Sequence, residues 1–122
     1  MVTAKNIMTK DVVSTRPLCK IEEVTRVLYF HGISGVPVID EQCRAIGMVT
    51  EADILSRKTG QDTVQDIMSA PAYTVAEDTP LQQIAALLTE KKIKRVPVVR
   101  DDKLVGIVSR ADVVRALASK AQ

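Results

Sequence analysis

The chain has 122 residues, of which 46% are hydrophobic, 26% charged and 2% aromatic, and its formal net charge is +2. This length and apolar content predict a folded core of aliphatic side chains and argue against intrinsic disorder. The small net charge argues against nucleic-acid binding by bulk electrostatic attraction. The scarcity of aromatic rings argues against a surface that stacks unpaired bases.

The cysteines and the apolar runs limit the cellular setting. Cys19 and Cys43 lie far apart, and with one histidine in the chain they form neither a disulfide framework nor a usual zinc-binding set. No apolar run approaches the roughly 20 residues that span a bilayer, and the polar N-terminal segment lacks the apolar stretch of a signal peptide. We therefore expect a cytoplasmic protein without a membrane segment or a metal site.

Each half of the chain predicts the same order of elements. An extended segment, residues 12–15 or 72–75, precedes an amphipathic helix. In the second half, Thr79, Pro80 and Gln82 predict a capping box at the start of that helix, with Thr79 as N-cap. The apolar residues at helical spacing are Ile21, Val24, Val27 and Leu28 in the first half, and Leu81, Ile84, Leu87 and Leu88 in the second.

An apolar hairpin and a second helix follow in each half. The strands are predicted at residues 36–39 and 45–49, and again at 96–99 and 104–108; the helices begin at Thr50 and Ser109. A polar segment, residues 58–63, contains Gly60 and is predicted to link the two halves.

The two halves are copies of one unit, because a shift of about 60 residues aligns three blocks in a single order. The predicted fold is α/β, with two tandem β-α-β-β-α motifs at residues 1–60 and 61–122. We expect the motifs to pack with pseudo-twofold symmetry through small mixed sheets, since one copy alone would be marginally stable. The aligned blocks are residues 7–8 with 67–68, 33–38 with 93–98, and 47–53 with 106–112.

The repeated motifs resemble the CBS domain, the family named for cystathionine β-synthase. They read NIMT, HGISGVPVID and IGMVTEAD in the first copy, and DIMS, IKRVPVV and VGIVSRAD in the second. The resemblance covers nearly the whole chain as a CBS pair (a Bateman module), which we expect to stand alone without a fused enzyme. It implies that AMP, ADP, ATP or S-adenosylmethionine binds in clefts between the motifs, that the module regulates a protein partner, and that two pairs form a homodimer.

A hydroxyl residue three positions before an aspartate begins the second helix of each copy, at Thr50 with Asp53 and at Ser109 with Asp112. This spacing is typical of a capping box. The same carboxylate could accept hydrogen bonds from ribose hydroxyls, and the family's ribose-binding motif lies at these positions. The two interpretations are compatible, and both stay open.

Lys94 and Arg95 precede a strand of the second copy, where the resemblance implies basic residues that reach a phosphate. Their counterparts, Ser34 and Gly35, carry no charge. The pseudo-twofold is expected to bring Lys94 and Arg95 to the cleft of Thr50 and Asp53, and Ser34 and Gly35 to the cleft of Ser109 and Asp112. The first cleft is therefore predicted to prefer phosphorylated ligands, and the second to take a less charged adenosine compound or to stay empty. Expected adenine contacts are Val12, Val13, Ile33, Pro37 and Met48 in the first cleft, and Tyr73, Ile93, Pro97 and Ile107 in the second. Thr15 is a further expected ligand contact of the first cleft.

The sequence thus predicts a regulatory module that senses adenosine-containing ligands. The alternative is a ligand-independent module for protein interaction or dimerisation, because the same motifs could serve only as helix caps. No P-loop and no pairing of a nucleophile with a base is present, so we expect neither an enzyme nor a bound cofactor. The regulated partner is not identified by the sequence.

Overall fold

The structure is a computed structural model that describes residues 1–120. It contains six helices and five strands within that range, and the mixed α/β fold with two tandem motifs is confirmed. No helix in this range is long and apolar enough to cross a bilayer. The elements are α1 (Ala4–Ile7), α2 (Ile21–His31), β1 (Gly35–Ile39), β2 (Ala45–Thr50), α3 (Glu51–Leu55), α4 (Val64–Ile67), β3 (Val75–Ala76), α5 (Leu81–Glu90), β4 (Arg95–Arg100), β5 (Lys103–Ser109) and α6 (Arg110–Lys120).

The first compact unit, here called the central unit, comprises Val13–Ala72. Its strands β1 and β2 form an antiparallel hairpin in which Val36 faces Val49. Of the predicted first extended segment, Thr15 makes an isolated parallel bridge to Val38. Helix α2 ends at Gly32, whose φ of +62° closes the last turn in the left-handed conformation that glycine adopts without strain. The buried core consists of Val24, Leu28, Val36, Val38, Val49 and Val64.

The second compact unit, the split unit, combines Met1–Val12 with the chain from Tyr73 onward. Its sheet has the order β3-β4-β5, with β3 parallel and β5 antiparallel to β4. The sheet is therefore mixed, as the sequence predicts. Its buried core consists of Ala4, Val75, Leu81, Ile84, Leu88, Val96, Val98, Val108 and Val113.

In each unit, the methionine that follows a short helix packs against a glycine of the hairpin. In the split unit, Met8 lies against Gly106, and the Thr9 amide donates to the Ile107 carbonyl at 2.9 Å. In the central unit, Met68 lies against Gly47, and the Ser69 amide donates to the Met48 carbonyl at 2.9 Å. The chain therefore folds into compact units that divide at Val12 and Ala72, whereas the sequence repeats divide near residue 60.

The predicted capping box at Thr79 is wrong. Helix α5 begins at Leu81, its N-cap is Pro80, and that cap has no side-chain hydrogen bond. The Thr79 hydroxyl instead accepts from the Ala76 amide at 3.0 Å, which closes the turn before the helix. Local turn closure therefore uses the hydroxyl that the capping pattern had assigned to the helix.

Candidate functional site

In the central unit, Thr50 and Asp53 occupy the turn from β2 into α3. The Asp53 carboxylate oxygen Oδ2 accepts from the Thr50 amide at 2.9 Å and from the Thr50 hydroxyl at 3.1 Å. The Asp53 amide in turn donates to the Thr50 hydroxyl oxygen at 3.3 Å. This reciprocal pair is the capping box that the sequence predicts, and Asp53 is half-buried within it.

In the split unit, Ser109 and Asp112 occupy the turn from β5 into α6 with nearly the same geometry. Oδ2 of Asp112 accepts from the Ser109 amide at 2.8 Å and from the Ser109 hydroxyl at 3.0 Å. Asp112 is more deeply placed, with 8% of its surface exposed. Its second oxygen, Oδ1, accepts a short hydrogen bond from the Arg115 guanidinium, one turn further along α6.

Capping boxes of this kind also occur where no ligand is predicted. Thr63 and Asp66 cap α4, and Thr3 and Asn6 cap α1. Hydrogen bonds from the Thr63 and Asp62 amides hold the pKa of Asp66 below its usual value, although Asp66 is exposed. A capped carboxylate is therefore not evidence of a site by itself. Asp53 and Asp112 differ from the exposed Asp66 because they lie at the edge of a hairpin, where Asp53 is half-buried and Asp112 is buried.

The surroundings of the two turns differ in charge. In the split unit, Arg95 faces Ser109 across the β4–β5 pair, and the Lys94 carbonyl accepts from the Arg110 amide at 2.9 Å. The Arg110 side chain also donates to the Ile93 carbonyl at 3.0 Å. Together with Arg115, which pairs with Asp112, these four basic residues are neighbours of the Ser109–Asp112 turn along the chain or across the strand pair.

The equivalent positions in the central unit carry no positive charge. Gly35 faces Thr50 across the β1–β2 pair, and the Ser34 carbonyl accepts from the Glu51 amide at 2.9 Å. Glu51 stands where the split unit has Arg110, and Ser56 stands where it has Arg115. Within each unit, the same backbone frame therefore presents a different electrostatic surface.

The predicted adenine contacts divide by exposure. Thr15, predicted to contact the ligand, is buried; its amide donates to the Pro37 carbonyl at 3.0 Å and its carbonyl accepts from the Ile39 amide at 2.9 Å. Tyr73 is 49% exposed, and the Lys91 ammonium lies 5.3 Å from its ring centroid, within range of a cation–π contact. Of the others, Pro37 and Pro97 are buried, whereas Val13, Ile33, Met48, Ile93 and Ile107 are half-buried.

One cavity of the split unit contains residues that the sequence did not single out. It has a volume of about 470 Å³ and lies between α1 and α6, with Asp112 in its wall. The i,i+3 spacing of Asp112 and Arg115 could have predicted their ion pair. No local pattern could have placed residues from the start of the chain beside Asp112. The other lining residues are Val2, Asn6, Ile7, Arg115, Ala116 and Ser119.

Comparison with known structures finds the same fold in proteins that bind adenosine derivatives. The chain is 30% identical to CBSX2 of Arabidopsis thaliana, crystallised with AMP, with a TM-score of 0.93 and 100% of both chains covered. It is also 30% identical to the CBS domain pair of MJ0100, crystallised with 5′-methylthioadenosine and S-adenosyl-L-methionine. That match has a TM-score of 0.89 and covers 98% of each chain.

A sequence relative and a family model agree with the structural matches. The chain is 33% identical over 121 residues to the uncharacterized protein MK0525 of Methanopyrus kandleri, covering 93% of this chain and 62% of that protein. It therefore spans less than two thirds of that relative's length. The family model described as "CBS domain" matches residues 4–60 and 64–119. The chain therefore belongs to the CBS domain family and carries two CBS domains in tandem.

Proposed function

We propose that this chain is a regulatory module that binds adenosine-containing ligands and does not catalyse a reaction on them. The observation that carries the proposal is the burial of the capped carboxylates Asp53 and Asp112 at the end of each hairpin, which the exposed capped carboxylate of Asp66 lacks. Support comes from the AMP complex of CBSX2 and the S-adenosyl-L-methionine complex of MJ0100, both similar over nearly the whole chain.

Asp53 is proposed to accept hydrogen bonds from ribose hydroxyls. Its Oδ2 already accepts from the cap, and the position of Arg115 is taken by Ser56, whose hydroxyl donates to the Ala52 carbonyl at 2.7 Å. Oδ1 of Asp53 therefore lacks the ion pair that Asp112 has. A hydrogen bond from a ribose hydroxyl to a carboxylate contributes about 1.5–3 kcal/mol. Half-buried Val13, Ile33 and Met48 are proposed to supply the apolar contacts to adenine.

Arg95 and Lys94 are proposed to contact the phosphate of a ligand bound at Asp53, as the family resemblance implies. Within their own unit they flank the Ser109–Asp112 turn, so a role toward Asp112 is the competing assignment. The variant Arg95→Ala, combined separately with Asp53→Asn and with Asp112→Asn, distinguishes the two. Our proposal predicts a larger loss of AMP than of adenosine affinity where Asp53 is intact. If AMP affinity instead falls more than adenosine affinity only in the variant where Asp112 is intact, Lys94 and Arg95 serve the ligand at Asp112.

Calorimetric titration with AMP, ATP, S-adenosylmethionine and adenosine tests the function. A ligand at 100 times its dissociation constant should also raise the free energy of unfolding by about 2.7 kcal/mol. The matched control is the double variant Asp53→Asn, Asp112→Asn, since Asn6 shows that an asparagine can cap a helix in this chain. Absence of binding by every probe, or binding that the double variant retains undiminished, would overturn the proposal.

The second candidate function is protein association, and exposed apolar side chains favour it. Tyr29 and Phe30, on α2, are 79% and 76% exposed and contact each other edge to face, while Leu55 is 85% exposed. We propose that the chain forms a homodimer and also contacts a regulated protein. Sedimentation equilibrium should give a dimer for the wild type and a monomer for Phe30→Glu. A monomeric wild type would refute dimerisation without affecting ligand binding.

Cytoplasmic localisation remains part of this proposal. Cys19 and Cys43 are both free thiols, which is the usual state in a reducing compartment. Localisation of the tagged chain in its host cell would test it, and secretion would contradict it.

A further inference from the structure

The ion pair between Arg115 and Asp112 distinguishes the two turns most clearly. It leaves neither carboxylate oxygen of Asp112 without a partner, because Oδ2 accepts from Ser109 and Oδ1 accepts from Arg115. The Arg115 side chain is 68% exposed, whereas that of Asp112 is 11% exposed. The guanidinium therefore approaches a nearly buried carboxylate from the solvent side, and it can leave without disturbing the core.

The pair borders open space of a size suited to a ligand. Asp112 and Arg115 both line the cavity of about 470 Å³ between α1 and α6. This volume falls within the roughly 300–1,000 Å³ typical of small-molecule sites. Asn6 and Ser119 add polar groups to the wall, and Ile7 adds apolar surface.

We propose that Arg115 is a specificity-determining residue of the ligand site at Asp112, because it occupies the carboxylate oxygen that a ribose hydroxyl would use. This inference rests on the proposed function. A ribose hydroxyl that binds Oδ1 of Asp112 competes with the guanidinium for that oxygen, and an uncharged nucleoside offers no anionic group to hold Arg115 in another position. The site at Asp112 therefore binds uncharged nucleosides more weakly than the site at Asp53.

The competition is modest in size, since a largely exposed i,i+3 ion pair is weak. Removal of Arg115 is expected to strengthen adenosine binding at Asp112 by about threefold. Arg115 thus biases the choice of ligand at this site without closing it.

Calorimetric titration of the full chain with adenosine tests the inference. Asp53→Asn serves as the parent, so that Asp112 provides the remaining ribose-binding carboxylate. Adding Arg115→Gln should tighten adenosine binding about threefold, whereas Arg115→Lys, which keeps a cation near Asp112, should stay close to the parent. Thermal unfolding checks that each variant is folded.

The ligand 2′,3′-dideoxyadenosine is the control for mechanism, because it lacks the hydroxyls that compete with Arg115. No gain is expected for it in Arg115→Gln. An unchanged or weaker affinity for adenosine, or an equal gain for both nucleosides, would overturn the inference. If the wild-type chain binds no adenosine-containing probe, the proposed function itself fails; if it binds and Arg115→Gln has no effect, only this inference fails.

Discussion

The turn into α3 and the turn into α6 share one capping geometry but differ in what surrounds the carboxylate. Both aspartates accept from the amide and the hydroxyl of the N-cap residue, at distances that agree to within about 0.1 Å. Asp112, however, is buried and paired with Arg115, while Asp53 is half-buried and has Ser56 at that position. The cap thus fixes where the carboxylate lies, and its neighbours determine how available it is.

The helices that follow explain part of this difference. Helix α6 has 11 residues and buries Val113 in the core of the split unit. Helix α3 has five residues and buries none. The longer helix continues past Asp112 and places Arg115 one turn further on, whereas α3 ends at Leu55. The two repeats are therefore similar in sequence but differ in the chemical surroundings of their capping aspartates.

The glycines behind the two hairpins should give the largest effects on stability. A Cβ at position 47 would lie 2.9 Å from the Ser69 carbonyl oxygen and 2.9 Å from the Met68 sulfur. A Cβ at position 106 would lie 2.3 Å from the Met8 sulfur. Gly47→Ala and Gly106→Ala should each lower the free energy of unfolding by about 1–3 kcal/mol, because overpacking forces neighbouring groups to move. Urea unfolding measures both.

Double mutants test whether the two clashes differ in kind. Met8→Ala should offset part of the cost of Gly106→Ala, since the close contacts come from the Met8 side chain. Met68→Ala should offset less of the cost of Gly47→Ala, because the Ser69 carbonyl is main chain and stays in place. Equal coupling in the two cycles would contradict this distinction.

The repeat, the hairpins and the Thr50 cap could be predicted from sequence because each depends on local spacing. The contacts of Met8 with Gly106 and of Met68 with Gly47 could not, because nothing local indicates which methionine meets which glycine. Thr79 shows that a local pattern can also mislead. The sequence matched a capping box, but the Thr79 hydroxyl instead accepts a hydrogen bond from the Ala76 amide in the preceding turn.

Truncating the capping carboxylates should have the next largest effect. Asp53→Ala removes the acceptor of the Thr50 amide and should lower the free energy of unfolding by about 1 kcal/mol. Asp112→Ala should cost more, by about 0.5 kcal/mol, since it also removes the partner of Arg115. Chemical unfolding of the two variants compares them, and a larger loss for Asp53→Ala would contradict the ranking.

The smallest expected effect is on how the free energy of unfolding changes at acidic pH, through an ion pair in the split unit. Arg100 donates two hydrogen bonds to Glu77, at 2.6 and 2.9 Å, and this pairing holds the pKa of Glu77 below its usual value of 4.5. The pair therefore stabilises the folded chain above that pKa, and its contribution is lost as the pH falls through the lower folded-state pKa. In Glu77→Gln, the free energy of unfolding should therefore fall less steeply as the pH drops below 4.5.

Asp40 of the central unit provides the comparison. Its pKa is also lowered, first by the Arg44 amide and then by the Arg44 side chain. Unfolding free energies measured between pH 7 and about pH 3 should keep the Asp40 contribution in Glu77→Gln. An unchanged pH profile in that variant would show that the Glu77–Arg100 pair does not contribute.

Adenosine titration of Asp53→Asn beside Asp112→Asn tests most directly whether the two carboxylates are unequal ligand acceptors. The wild type is expected to bind adenosine. Asp53→Asn should lose about tenfold in affinity, as expected for a lost charge-assisted hydrogen bond, and Asp112→Asn should lose less because Arg115 already engages that carboxylate. Equal losses, or a larger loss for Asp112→Asn, would contradict it.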